Sequence, residues 1–118
     1  MKFLVTKLVT AYLVPMRVIA RQTLKQFWER HPQAEGPLRA WFAVISNAQW
    51  KGLAEVKRQF GTTVDFVRDN RVVFDIGGNK YRVVVHVSYE WSRILVKFVG
   101  LHSEYDHIDA RTVTWRKK

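Results

Sequence analysis

Two periodicities divide the chain. From Arg21 to Arg30, the apolar residues Leu24, Phe27 and Trp28 fall at i, i+3 and i+4, the stripe of an amphipathic helix that His31-Pro32 ends. After Gly36-Pro37 the spacing returns as Leu38, Trp41, Phe42 and Ile45 and predicts a second helix. A short helical turn is expected over 53–60, with Leu53, Val56 and Phe60 inward, Lys57 and Arg58 outward, and Gly61 closing it. Trp28 and Trp41 lie on the inner stripes and read as core anchors. At Thr62 the period drops to two. Residues 71–76, 80–89 and 92–99 read as strands, joined by turns at Gly77-Gly78-Asn79 and around Glu90-Trp91.

Side chains alternate between the faces of a strand, so parity sorts them. Val72, Phe74 and Ile76, then Tyr81, Val83, Val85 and Val87, then Ile94, Val96 and Phe98 share an apolar face. A first-hairpin loop at Gly77-Gly78 pairs Asp75 with Lys80, and one at Gly78-Asn79 pairs Asp75 with Arg82. Both keep like faces together. The second hairpin is expected to pair Val87 with Ile94 and Val84 with Lys97. The fold class is therefore α+β, with N-terminal helices on one face of a small antiparallel sheet. The other face is expected to be open and to carry Arg71, Lys80, Arg82, His86, Arg93 and Lys97. Gly100 is read as ending the last strand, and Ser103 as capping a helical turn that Asp106 and Asp109 cap or solubilise.

Composition sharpens this. With 118 residues, 47% of them hydrophobic, the chain can build one domain with its own core. The absence of cysteine excludes disulfides, thiolate metal sites and cysteine catalysis, and fits a reducing compartment. Lys and Arg number 20 against 10 Asp and Glu, a net charge of +10 that bears on partners: nucleic acid first, then an anionic membrane, then an acidic protein. Residues 1–15 stand apart from a domain of residues 16–118. The apolar run Phe3 to Val14 is too short to span a bilayer, carries Lys7 and stops at Pro15, and it has no signal-peptide cleavage site. It reads as an edge strand, a short amphipathic helix or a disordered extension, with Met16 as an alternative start. The basic end, Arg111 with Arg116, Lys117 and Lys118, reads equally as a solvated tail or an RNA-gripping arm.

Neighbouring cations on a sheet repel, so Arg71, Lys80, Arg82, Arg93 and Lys97, opposed only by Asp75, point to an anion; phosphate suits the arginine fork. The same alternation also serves a sheet that simply meets water. His102 and Tyr105 follow the last strand at the rim of this face. Cleaving RNA through its 2′-hydroxyl needs a base, cations for the charge growing on phosphorus, and an acid for the departing 5′-oxygen. His102 or Tyr105 would handle protons while Arg82 and Lys97 stabilise charge. Lys57, Arg71, Lys80, His86 and Arg93 would hold the RNA. No metal or other cofactor is expected, since the histidines at 31, 86, 102 and 107 show no metal-site spacing. Gly77-Gly78-Asn79 joins two strands and is a hairpin turn, not a phosphate cradle.

Three stretches together resemble a known family. They are Met16 to Arg21 with Leu24, Phe27, Trp28, His31 and Pro32; the hairpin from Arg71 through Gly77-Gly78-Asn79-Lys80 to Arg82; and Lys97 through Gly100, His102, Glu104, Tyr105, Asp106 and Asp109. In this order they resemble the HigB toxins of type II toxin-antitoxin systems, over residues 16–110. The resemblance implies a RelE-like fold and a metal-independent endoribonuclease that cleaves mRNA on the ribosome, stopping translation and growth in the cytoplasm. It also implies a HigA-type helix-turn-helix antitoxin that neutralises the toxin and with it represses their operon at operator DNA. It places site residues at Asn79, Lys80, Arg82, Lys97, His102, Tyr105 and Asp106. Leu101 departs from it, standing where similar sequences carry Thr. Two other readings are a non-catalytic RNA- or ribosome-binding module using the same face, and a peripheral membrane or protein-interaction domain resting on the N-terminal segment.

Overall fold

The computed structural model describes residues 16–19 and 21–114; the expectations for residues 1–15 and for Arg116, Lys117 and Lys118 lie outside the described residues. Strand β1 (Arg17–Ile19) leads to helix α1 (Arg21–Arg30), a 3₁₀ turn (Pro32–Ala34), α2 (Glu35–Ser46), α3 (Leu53–Phe60) and a second 3₁₀ turn (Gly61–Thr63). Then come β2 (Val64–Val67), β3 (Arg71–Ile76), β4 (Tyr81–Ser88), β5 (Arg93–Leu101) and α4 (His102–Tyr105). The five strands run β1-β5-β4-β3-β2, with β1 parallel to β5 and the other pairs antiparallel. The expected α+β architecture is present, but the sheet is mixed and two strands larger than the pattern predicts. Three residues are too few for alternation to reveal β1.

The helices cover one face. Leu24, Phe27, Leu38, Ile45 and Val56 are buried with Val72, Phe74, Val83, Val85 and Ile94 of the sheet, and both Trp28 and Trp41 anchor this core. Phe74 is its aromatic hub, with ring centroids of Phe60, Trp41 and Trp50 at 4.9, 5.3 and 6.4 Å. Helix α2 starts before Pro37, because a proline in the first helical turn lacks only an N–H that would be unpaired there anyway. Leu53, expected inward, is 53% exposed. It is the first residue of α3, directly after the extended Gly52, and burial begins at Val56. Among the described residues no helix is long and apolar enough to cross a membrane.

Of the two registers open to the first hairpin, the structure has Asp75 opposite Arg82. Gly77, Gly78 and Asn79 all take positive φ, 66°, 63° and 75°, and a Cβ on Gly77 would lie 2.9 Å from the Tyr81 ring. Only glycine meets both demands there. The second hairpin pairs Val87 with Ile94 as expected, but a bulge intervenes: Val85 faces Val96, and Val84 faces Phe98 instead of Lys97. Lys97 is the extra residue, and parity inverts beyond it. Val99 joins the helix-side core and Phe98 turns to the opposite face. Gly100 does not end the strand; it pairs with Arg82, and Leu101 pairs with Tyr81.

The second face is not open throughout. The C-terminal segment folds onto it and buries Val73, Val84 and Ala110 among Val67, Phe98, Tyr105, Ile108 and Val113.

Candidate active site

Register lays the side chains of this face in cross-strand rows. One row runs Asp75, Arg82, Gly100; the next runs Asp65, Val73, Val84, Phe98; a third runs Val67, Arg71, His86, Leu95. Arg82 is gripped from two sides. Its Nε lies 2.8 Å from Asp75 Oδ1, and its Nη2 donates to Asn79 Oδ1 at 2.7 Å. Its guanidinium sits 5.6 Å from the centroid of the Tyr105 ring. A cation so fixed, with its side chain only 11% exposed, keeps one orientation toward an arriving anion.

Helix α4 starts at His102, one residue ahead of the expected Ser103 cap. The Leu101 N–H donates to Glu104 Oε1 at 2.7 Å, so a carboxylate takes the capping role. The His102 N–H donates to Lys80 O at 3.0 Å, which ties the helix to the hairpin. Gly100 makes room for both, since a Cβ there would lie 3.0 Å from Glu104 Oε1 and 2.5 Å from the Phe98 ring. His102 Nδ1 lies 3.4 Å from Asp106 Oδ2. Burial pushes the Tyr105 phenol above its ordinary pKa; Asp65, Asp75 and Asp106 push the same way, and Arg82 pulls against them. The phenol therefore holds its proton at neutral pH. Asp109, expected near a helix end, accepts the Arg111 N–H at 2.9 Å and pairs with its guanidinium.

Arg82, Asn79, Lys80, His102 and Tyr105 thus gather at one end of the sheet. Lys97 sits at the bulge, three residues before Gly100 or about 10 Å along the strand, where its charge is felt by His86. Arg71 is engaged elsewhere: its Nη1 donates to Ala110 O at 3.1 Å and to Val113 O at 2.6 Å. Arg93 is exposed near the far end of β5, and Lys57 is exposed on the helical side of the sheet, on α3. Asp65, near enough to bear on Tyr105, is absent from the residues the pattern nominates because β2 is. Val64 and Phe66 alternating with Asp65 ahead of an Asp69-Asn70 turn, both residues at positive φ, is the signal that marks it. Among the described residues no group of three or more His, Cys, Asp or Glu gathers as metal ligands.

Residues 34–108 match the HigB_toxin family, the RelE-like toxic component of a toxin-antitoxin system. The chain belongs to the HigB toxin family. It is similar to the mRNA interferase toxin HigB of Escherichia coli K12, 33% identical over 104 residues that cover 87% of this chain and 100% of that one. The mRNA interferase HigB of Escherichia coli O6:H1 is 26% identical over 94 residues, 79% of this chain and 91% of the relative. Membership in the HigB family makes this chain a toxin with an antitoxin partner, and its α+β fold is the RelE-like one.

Two expectations concern how the HigB-family site is supported. Arg71→Ala removes the clamp on the C-terminal segment. The loss is on the order of 1.5–3 kcal/mol for hydrogen bonds to a charged donor, and it should appear as faster amide exchange over residues 110–113. Unchanged protection there would refute the clamp. His86 is the second. Its Nδ1 is shut from solvent and has no hydrogen-bond partner among the described residues, although the ring as a whole is only partly covered. Its pKa is lowered by burial first, then by Lys97 and Arg71, with Asp69 opposing. The unfolded chain then binds this proton more readily than the folded one, so stability should fall as pH drops through 6.5 toward the lowered folded value. Denaturant midpoints from pH 7.5 to 5 should show that loss, and His86→Gln should flatten it.

Proposed function

We propose that this toxin is an mRNA interferase, an endoribonuclease that cuts transcripts on the translating ribosome. The observation that carries this reading is the meeting of an imidazole, a proton-holding phenol and a doubly held guanidinium at one end of the sheet, in a chain whose relatives are named mRNA interferases. His102 takes the proton of the ribose 2′-hydroxyl, and that oxygen bonds to phosphorus. Arg82, with Lys97 reaching in from the bulge, binds the non-bridging oxygens as their charge grows. The bond to the 5′-oxygen breaks as Tyr105 supplies its proton. The products are a 2′,3′-cyclic phosphate and a free 5′-hydroxyl, and no metal enters the sequence. Asp106 stabilises the imidazolium formed on the way.

Asn79 and Lys80 hold the RNA backbone at the hairpin, while Arg71 and Arg93 carry positive charge on along the sheet, with the His86 imidazole beside Arg71 as a further contact, and Lys57 adds charge on the helical side. The partner is a HigA-type helix-turn-helix antitoxin, which brings the pair to operator DNA, and the place of action is the cytoplasm, where the ribosomes are.

The test is to incubate the toxin with translating ribosomes and a defined mRNA, map the cuts and identify the new ends. Cyclic phosphate ends are expected, and Arg82→Ala should slow cutting by about 10²–10³-fold. Full-rate cutting by Arg82→Ala would remove that residue from the mechanism. Intact mRNA bound with strong salt dependence would point to the non-catalytic RNA-binding module instead.

A further inference from the structure

A cavity of about 330 Å³ lies at the same end of the sheet, on its helical side. Its walls are Arg30, His31, Pro32, Gln33, Tyr81 and Leu101. The sequence builds it simply. Pro32 stops α1, and the chain turns through a 3₁₀ segment past the first residue of β4 and the last of β5. The His31 ring lies 4.6 Å from the buried Phe27 ring, so the core fixes its position. Tyr81 and Leu101 are register partners and give the cavity an apolar side. Arg30 and Gln33 are exposed and, among the described residues, no ion pair or side-chain hydrogen bond engages them.

An apolar side with a guanidinium, an amide and an imidazole at its rim suits a flat heteroaromatic ring that carries hydrogen-bonding groups on its edge. The cavity is also next to the candidate active site. Leu101 precedes His102 directly, and the carbonyl of Lys80, the neighbour of Tyr81, accepts the His102 N–H at 3.0 Å. The Tyr81–Leu101 side of the cavity is thus the pair next along the strands to Arg82 and Gly100, at the end of the sheet where His102 stands. A bland role for Arg30, a cation at the C-terminal end of α1, would satisfy the helix dipole. It would leave the cavity, Gln33 and the adjoining His102 unaccounted for.

We propose that this cavity is a nucleobase subsite, which seats the base beside the scissile phosphate and sets the preferred cleavage sequence. The proposal rests on the mRNA interferase reading. Guanine is the base its chemistry favours, because an arginine fork matches the O6 and N7 acceptors and a charge-assisted pair outweighs what the Gln33 amide offers adenine.

The experiment compares the unchanged toxin, Arg30→Ala, Arg30→Lys and Gln33→Ala on translating ribosomes, with transcripts in which only the base beside the cut is varied. The unchanged toxin should favour guanine. Arg30→Ala should slow cutting at guanine sites by about 5- to 150-fold, the discrimination of one bidentate contact, while sites with other bases are cut as before. Arg30→Lys keeps the charge and loses the fork, so it should share the loss. A uniform slowing at every base would make Arg30 merely structural and overturn the subsite, as would unchanged site preference in Arg30→Ala and Gln33→Ala. An unchanged toxin that cuts without regard to base would overturn it too. Failure of the unchanged toxin to cut any transcript would instead bring down the interferase reading, and the subsite with it.

Discussion

His102→Ala is expected to slow mRNA cleavage by about 10²–10⁴-fold, the usual contribution of a positioned proton-transfer group, and to relieve the growth arrest that expression of the unchanged toxin causes. The substitution separates chemistry from folding. The His102 side chain is 43% exposed and its ring lies beside the Asp106 carboxylate, while the bond that ties α4 to the hairpin comes from the backbone N–H, which alanine retains. The denaturant midpoint should therefore stay where it is while the single-turnover rate on ribosomes falls. Tyr105 does not replace the missing base, since its phenol is held in the protonated form by burial and by three nearby carboxylates. Full cleavage by His102→Ala would place the base elsewhere.

The largest loss of stability is expected at Phe74. Phe74→Ala should cost about 3–5 kcal/mol, a serious fraction of the roughly 5–15 kcal/mol that holds a domain together. Phe74 is 1% exposed and meets Trp41 and Phe60 edge-on and Trp50 nearly parallel. Those neighbours come from α2, from α3 and from the loop between them, so removing one ring unseats three separate pieces of chain from the sheet. They cannot all move into the void at once, which is why the cavity cost adds to the lost transfer energy. Urea unfolding followed by tryptophan fluorescence would report it directly. A loss below about 1 kcal/mol would show that the cluster closes over the gap.

What the sequence reveals and what it hides follow from how many residues each feature involves. Helices α1 and α2 and the inner faces of β3 and β4 are legible because several buried residues repeat each pattern. Trp28 and Trp41 lie on those stripes and are buried as the spacing predicts. The first hairpin leaves two registers because both preserve the faces. The choice falls to Gly77, Gly78 and Asn79, whose three positive φ angles shape the turn that places Arg82 against Asp75. The bulge at Lys97 has no signature in composition: it is one extra residue in an otherwise regular strand. Arg71 reads as a free cation because its acceptors are backbone carbonyls about forty positions away, in a segment without periodicity. The grouping of Arg82, His102 and Tyr105 is visible from parity and chain order. The supporting contacts, Glu104 to Leu101 and Asp65 near Tyr105, depend on a cap and on strand β2, neither of which the pattern announces.

The bulge makes the site sensitive to register. Were β5 to continue in strict alternation with Lys97 opposite Val84, every residue after it would change faces. The Phe98 ring would lose Tyr105, the Gly100 position would no longer leave space beneath Glu104, and His102 would swing away from Lys80. The extra residue works as a shim: taking Lys97 out and closing the ladder leaves Phe98 opposite Val84 and Val99 opposite Val83, so the faces beyond it are kept.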